Sequence, residues 1–324
     1  MAILRFCVYL FALNCAIGLT VTDSHAQSYP AKVVRYVVTD AGGSGTDTLA
    51  RIIAEGLSAI YGQQVIVDNR PGAGGNIGAD LAAHATADGY TMVQIATTHT
   101  VNASLYRSLG YDLVRDFAPV TQIASGPSLV VVPASSPAKS IGDLIRMAKA
   151  KPGEMTRASA GTGTCSHLAG ELFTRQAGVD IVHVPYKGGP PAVTAVMSGE
   201  TSVYFAPLSA VLPLVGQGRL RALAVSTAQR LRMVPDYPTV AEAGVAGYEF
   251  SCWYGLLVPA KTPSHIVTAI HGAVTRVLSN PTVQKRLADL GYLPVGDRPE
   301  AFAAHIKSQI ESFRPITRDM PQPQ

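Results

Sequence analysis

The chain has 324 residues, of which 47% are hydrophobic and 15% charged, and a formal net charge of +4. That length can bury a substantial core and accommodate two domains of ordinary size. A charge content well under the roughly 25% of typical soluble proteins argues against disorder. The basic residues are scattered rather than interleaved with aromatics, which speaks against a nucleic-acid footprint, while so weak an excess still favours small anions.

At the N-terminus, Arg5 precedes an apolar run over 6–13 that continues over 15–19, and Ser24-His25-Ala26 supplies small residues at the −3 and −1 positions of a cleavage site. Residues 1–26 therefore read as a signal peptide cleaved after Ala26. Asn14 interrupts the run, which falls short of the ~20 apolar residues of a membrane span. Ala12-Leu13-Asn14 is a poor match to the small residues expected before a lipidated Cys15. The mature chain keeps Cys165 and Cys252. Two cysteines make no disulfide framework; they pair if the fold brings them together and otherwise pack as free thiols.

From residue 33 onward, β-branched runs alternate with amphipathic stretches. Strands are expected at 33–38, 65–67 and 91–95, with helices at 48–60 and 77–85 between them. The pattern resumes with a strand at 129–132 and a helix at 141–150, entered by the capping sequence Ser140-Ile141-Gly142-Asp143. Strands follow at 181–184, 203–205, 223–225 and 256–258. Thr262-Pro263 suits the N-cap and first turn of a further helix, and a terminal helix starts near Pro299. This alternation signals βα units on mostly parallel sheets. So many strands exceed one minimal sheet, and Ser125-Gly126-Pro127 and Gly244-Val245-Ala246-Gly247 are the expected passages between two α/β lobes.

In open α/β sheets, ligands bind beyond the carboxyl ends of the strands, where helix N-termini converge. The stretch Gly161-Thr162-Gly163-Thr164-Cys165-Ser166-His167 follows a strand and opens a helix. It offers backbone N–H groups, small hydroxyls and the positive end of a helix dipole, with no acid to repel an anion: a carboxylate pocket. Gly42-Gly43-Ser44-Gly45-Thr46-Asp47 either cradles an anion or makes a tight turn in which Asp47 complements a dipole. Gly72 to Gly78 lacks the G-x-G-x-x-G spacing and reads as a structural crossing rather than a nucleotide loop. Thr97-Thr98-His99-Thr100-Val101-Asn102 is a polar loop that serves a site equally well or not at all. Trp253 and Tyr254 suit a cleft or a core, and Lys187 an exposed helix start. Cys165 or Ser166 beside His167 makes no working nucleophile, since such close neighbours do not face one another and no G-x-S-x-G elbow surrounds Ser166. His84, His99, His167 and His183 show no metal-ligand spacing. No catalytic residue, metal or cofactor is expected.

Ordered motifs carry a resemblance. They are Gly42-Gly43 with Asp47 and Ala50-Arg51; Asp68-Asn69-Arg70-Pro71-Gly72-Ala73-Gly74-Gly75-Asn76-Ile77-Gly78; Asp88-Gly89-Tyr90-Thr91; Asp116-Phe117-Ala118-Pro119-Val120; and Ser159 to Thr164 with Ser166-His167-Leu168-Ala169. His183 to Gly188, Leu220 to Val225 and Pro238 to Gly244 complete the set. By these the chain resembles the periplasmic solute-binding proteins of tripartite tricarboxylate transporters, the Bug receptors. The resemblance covers essentially everything after residue 28.

It implies a two-lobed periplasmic-binding-protein architecture joined by crossover strands, with 27–126 and 248–324 in lobe 1 and 127–247 in lobe 2. It also implies a monomeric, non-catalytic periplasmic receptor that closes on a small carboxylate and delivers it to a membrane permease. The alternative is a ligand-sensing receptor for a sensor kinase. One carboxylate would sit on Gly161, Thr162, Gly163, Thr164, Cys165, Ser166 and His167, with Ala41, Gly42, Gly43 and Asp47 on the opposite wall and Thr98 and Asn102 closing one side. Three positions depart from the family: Asp40 replaces a hydrophobic or aromatic residue, Cys165 a serine, and Ala206 an aspartate. The last implies a ligand without an ammonium at that point, unless Asp40 reaches across to replace the missing charge.

Overall fold

The computed structural model describes residues 29–106 and 108–317, so the signal-peptide reading of 1–26 lies outside it. The first half is built from β1 (Val34–Val38), α1 (Gly45–Tyr61), β2 (Val65–Asn69), a 3-10 turn (Ala73–Gly75) leading into α2 (Asn76–Ala83), β3 (Thr91–Ala96) and α3 (Thr97–Leu105). The β-branched residues of β1 suit a strand buried on both faces, and it runs parallel to β2 (Val34 opposite Val65) and to β3 (Tyr36 opposite Met92). Each parallel step needs a crossover, which the amphipathic helices provide. No loop separates β3 from α3; the expected polar loop at 97–102 is the first turns of a helix.

The next strand, β4 (Phe117–Pro133), is 17 residues long. The second half then adds α4 (Ile141–Ala150), β5 (Thr156–Ser159), α5 (Cys165–Ala177), β6 (Val182–Pro185), α6 (Gly189–Ser198), β7 (Val203–Pro207), α7 (Leu208–Gly216) and β8 (Leu220–Val225). The chain returns through β9 (Ser251–Pro259) and closes with α8 (Ser264–Leu278), α9 (Pro281–Asp289), β10 (Leu293–Pro294) and α10 (Pro299–Thr317). The strand order is β2-β1-β3-β9-β4-β7-β5-β6, with β8 and β10 also on β4. Parallel trios, β2-β1-β3 and β7-β5-β6, lie at either end, and the strands paired to β4 run antiparallel to it. Pro263 is the N-cap of α8, one residue later than the sequence suggested; its ψ of 137° is extended and the helix starts at Ser264.

Strand β4 explains how two half-sheets share one backbone. Residues 117–127 pair with β9, and 128–133 pair with β7 and β8. Side chains alternate across a strand, so Val130 and Val132 enter a core with Phe173, Phe205 and Tyr248, whereas Leu129 and Val131 enter another with Tyr204, Ala206 and Leu220. All four are fully buried. The first core also takes Val101 and Leu105 from α3 and Phe313 from α10, joining elements of both halves. A third core under the first half holds Val93, Leu257, Trp253 and Phe302. Trp253 is thus a core residue, edge-on to Phe302.

Where the chain changes halves, Ser226 clips the passages together. Its N–H donates to Ser128 O at 2.9 Å, its Oγ accepts from Ser128 N at 2.9 Å and donates to Phe250 O at 2.6 Å, and its carbonyl accepts from Phe250 N at 2.8 Å. Ser226 is fully buried, so loss of its hydroxyl would leave polar backbone groups unpaired. Cys165 and Cys252 form a disulfide with Cα atoms 5.7 Å apart, bonding the first residue of α5 to β9.

Candidate functional site

Strands β1 and β3, and β5 and β7, end where helices α1, α3, α5 and α7 begin, so four helix N-termini gather at the carboxyl ends of the parallel strands. The start of α5 differs from the other hydroxyl- or amide-capped helices. Ser44, Ser140 and Asn280 each accept a hydrogen bond from a first-turn amide of their own helix. Thr164, the N-cap of α5, makes no such bond. Its Oγ1 instead donates to Gly161 O at 2.7 Å and lies 3.1 Å from Ser166 Oγ. Leu168 is the first residue whose N–H reaches back to the cap carbonyl, at 3.0 Å. The amides of Cys165, Ser166 and His167 are therefore the orphan donors of this helix.

The loop that presents them is held from behind. Ser166 Oγ accepts from Ala160 N at 3.0 Å, and Tyr204 shares a hydrogen bond with it. His167 Nδ1 accepts from Gly163 N at 3.1 Å, and its ring stacks on His183 with centroids 3.9 Å apart. His183 Nε2 meets Ser159 Oγ at 2.7 Å, and that oxygen accepts from Gly161 N at 3.1 Å. Gly161 and Gly163 have φ of +132° and +80°, which glycine adopts without strain. Burial, with His183 and Arg157 nearby, pushes the His167 pKa down to about 3; burial, with Arg157 nearby, pushes His183 down to about 4. Both rings are neutral near pH 7. The wall's positive potential comes from the helix end rather than from imidazolium.

In the turn between β1 and α1, Ala41, Gly42 and Gly43 are exposed, while Asp47 is only 2% exposed. Its carboxylate accepts from Gly43 N (2.9 Å), Arg51 Nε (2.9 Å) and Asn69 Nδ2 (3.0 Å). Burial pushes its pKa up, but these hydrogen bonds outweigh that and hold it below the usual carboxylate range. Asp47 thus shapes the Gly42-Gly43 turn from beneath. Asn102 is also committed internally, its Nδ2 donating to Gly74 O and Asn76 Oδ1, both at 2.9 Å. Thr98 is half-buried on the first turn of α3. Ala206 is fully buried at the end of β7 among Leu129, Val131 and Tyr204.

One residue that the sequence did not single out lies beside the start of α1. Tyr292, between α9 and β10, packs edge-on to Tyr254 of β9 with centroids 5.3 Å apart, and a Cβ placed on Gly45 would lie 2.7 Å from its hydroxyl. Its neighbour Gly291 (φ +73°) lies against Ser209 of α7, so close that an added Cβ would stand 2.8 Å from the serine Cβ. An aromatic residue two before a proline carries no sequence signal for this position. Among the described residues no group of three or more His, Cys, Asp or Glu can hold a metal ion, and no helix is long and apolar enough to cross a membrane.

Comparison with known proteins gives the family. Residues 49–321 match the model of the tripartite tricarboxylate transporter family receptor. Protein BugT of Bordetella pertussis is 33% identical over 296 residues, 91% of each chain. Among solved structures, the R. palustris protein Rpa4515 with adipate is 38% identical with a TM-score of 0.78, covering 90% of this chain and 97% of that one. MatC from Rhodopseudomonas palustris with bound malate is 30% identical with a TM-score of 0.75, covering 89% and 100%. A family match across most of its length, on a two-lobed binding-protein fold, means that the chain belongs to the tripartite tricarboxylate transporter receptor family, as a solute-binding protein rather than an enzyme.

Proposed function

We propose that this protein is a periplasmic receptor that closes on a small carboxylate between its two lobes and delivers it to the membrane subunits of a tripartite transporter. In this reading the signal peptide is removed after Ala26 and the mature protein acts as a monomer. Lobe 1 comprises 27–126 and 248–324, and lobe 2 comprises 127–247. The change of β4 partners at Pro127 and Ser128, and the Ser226 clip, support that division. The carboxylate rests on the α5 amides and the loop of Gly161, Thr162, Gly163 and Thr164, while Ala41, Gly42 and Gly43 close from the other side. Ser166, His167, Asp47 and Asn102 hold these walls in shape rather than touching the ligand through their side chains.

The observation that carries the reading is the uncapped first turn of α5: a threonine at the N-cap turns away from the amides it would ordinarily satisfy. Adipate and malate in the related structures support the ligand class. Charge-assisted hydrogen bonds from such amides are about twice as strong as neutral ones. The test is thermal stabilisation of the purified protein by a panel of mono- and dicarboxylates. Thr162 is exposed on the loop, so Thr162→Glu adds a competing anion without disturbing a packed group. Stabilisation in the wild type that disappears in Thr162→Glu, with the unliganded melting temperature unchanged, is expected. Equal stabilisation of both proteins moves the ligand elsewhere.

A further inference from the structure

A cavity of about 550 Å³ is lined by α5, α10 and the passage strands β4 and β9, within the size range of small-molecule sites. In the antiparallel ladder of those strands Ser125 stands opposite Trp253, and both line it. Helix α5 contributes Leu172 and Gln176, which at 1.5 Å per residue lie about 10 and 16 Å further along its axis than Cys165. The cavity is therefore separate from the carboxylate turn. Its polar groups lack partners. Among the described residues the side chains of Gln122, Ser125, Gln176, Glu249, Ser251 and Ser308 make neither hydrogen bond nor ion pair. Two ring nitrogens of the lining residues, Trp253 Nε1 and His305 Nε2, are buried and equally without a partner, on rings that meet edge to face with centroids 5.5 Å apart.

Elsewhere in the fold such acids are paired, Asp47 with Arg51, Asp68 with Arg35, Glu171 with Arg157 and Glu242 with Arg230. Buried polar groups are nearly always hydrogen-bonded, so orphans gathered around one cavity point to a guest that supplies the missing bonds. The charge of the lining sets the kind of guest. Glu249 is the one acid in it, and neither lysine nor arginine lines the cavity. Burial lowers the His305 pKa, so that ring adds no positive charge near pH 7. A carboxylate would meet a like charge here, whereas an ammonium is neutralised by Glu249 and donates its other protons to glutamine and serine oxygens. Because an indole N–H only donates, the guest also needs an acceptor oxygen. Leu172, Phe250 and Phe313 give it an apolar wall for a short alkyl chain.

We propose that this cavity is a second binding site, for a small organic ammonium that also carries a hydroxyl or carbonyl oxygen, with Glu249 as its counter-ion and the Trp253–His305 wall meeting its oxygen. The site stands independently of the carboxylate-receptor reading.

Trp253 is the chain's only tryptophan, so its indole N–H gives a single resonance in a proton–nitrogen correlation spectrum. The test follows that resonance while the purified protein is titrated with 4-amino-1-butanol and, separately, with 1,4-butanediol as the uncharged match. A saturable shift is expected with the amino alcohol, at about tenfold lower concentration or less than any shift the diol produces. Glu249→Gln removes the charge at an exposed position and should erase that preference. Ser308→Arg, also exposed, brings a cation to the cavity and should abolish the shift. Thr162→Glu alters the carboxylate turn alone and should leave the shift in place. The proposal is overturned if the amino alcohol gives no saturable shift, if the two probes act alike, or if the preference survives Glu249→Gln or the shift survives Ser308→Arg. Loss of the shift in Thr162→Glu also overturns it, by moving the amine to the carboxylate turn.

Discussion

Replacing Cys165 and Cys252 together by serine tests how much of the stability rests on one covalent link. The bond closes a ring spanning 87 residues of sequence, from the first turn of α5 to the start of β9. Loop-closure entropy for a ring of that size amounts to about 4.6 kcal/mol at 25 °C, acting mainly by restricting the unfolded chain. Both cysteines are half-buried, so serine exchanges little packing and leaves no large cavity. Urea unfolding followed by circular dichroism should therefore show a loss of about 3–5 kcal/mol, together with a steeper m-value as the unreticulated chain unfolds to a larger surface. Reduction of the wild type with dithiothreitol should reproduce both changes. A loss under about 1 kcal/mol, or a full loss at constant m, would refute the entropic account and place the effect in native contacts at the α5 start.

Acid should destabilise the protein through its stacked histidines. In the folded chain His167 and His183 stay neutral to about pH 3 and about pH 4, against 6.5 for an unperturbed imidazole. Between those values and pH 6.5 the unfolded chain binds more protons, so stability is full above pH 6.5 and falls as pH drops. A loss of about 2–4 kcal/mol between pH 7 and 4.5 is expected from urea midpoints, and an unchanged slope in His183→Gln would discount the pair. Gly291→Ala introduces both a positive-φ strain and a contact at 2.8 Å with Ser209. It should cost about 2 kcal/mol or more, against about 1 kcal/mol for Gly62→Ala, where φ is +64° in open space, and equal melting temperatures would contradict the contact. Glu171→Gln removes the carboxylate that pairs with Arg157, itself 3% exposed. Stranding that guanidinium should cost about 3–5 kcal/mol by thermal denaturation, and a change under 1 kcal/mol would mean that water reaches it.

Hydrophobic periodicity located the strands because β-branched residues such as Val34, Val130 and Val203 leave few alternatives once both faces are covered. Ser140 was legible as a cap because its hydroxyl and Asp143 are local in sequence, and the structure has that bond at 3.1 Å. Residues 97–102 read as a loop because Thr97, Thr98, Thr100 and Asn102 are poor helix formers; tertiary bonds override the propensity, with Trp253 N donating to Thr97 Oγ1 at 2.9 Å and Asn102 donating to Gly74 O. The short helices α7 and α9 escaped notice because one carries Pro213 and the other begins at Pro281, residues that read as turns. At the cleft, chemistry borne by contiguous residues was visible, as in the loop ahead of Cys165. The Tyr254 and Tyr292 pair was not, because 38 residues separate partners that only the fold brings together. The cysteine pairing was undetermined for the same reason, and the Cα separation of 5.7 Å resolves it.

Because β4 continues from one half-sheet into the other without a break in its strand, the connection between the halves is a hydrogen-bonded ribbon rather than a slack tether. A ribbon flexes across its flat face and twists about its length, yet resists stretching and sideways shear, since those motions would slide its hydrogen-bond ladders out of step. Any travel of one lobe relative to the other is thereby confined to a narrow family of rotations. Were the two halves to close on a ligand, as proposed, their approach would follow a track already laid by the backbone.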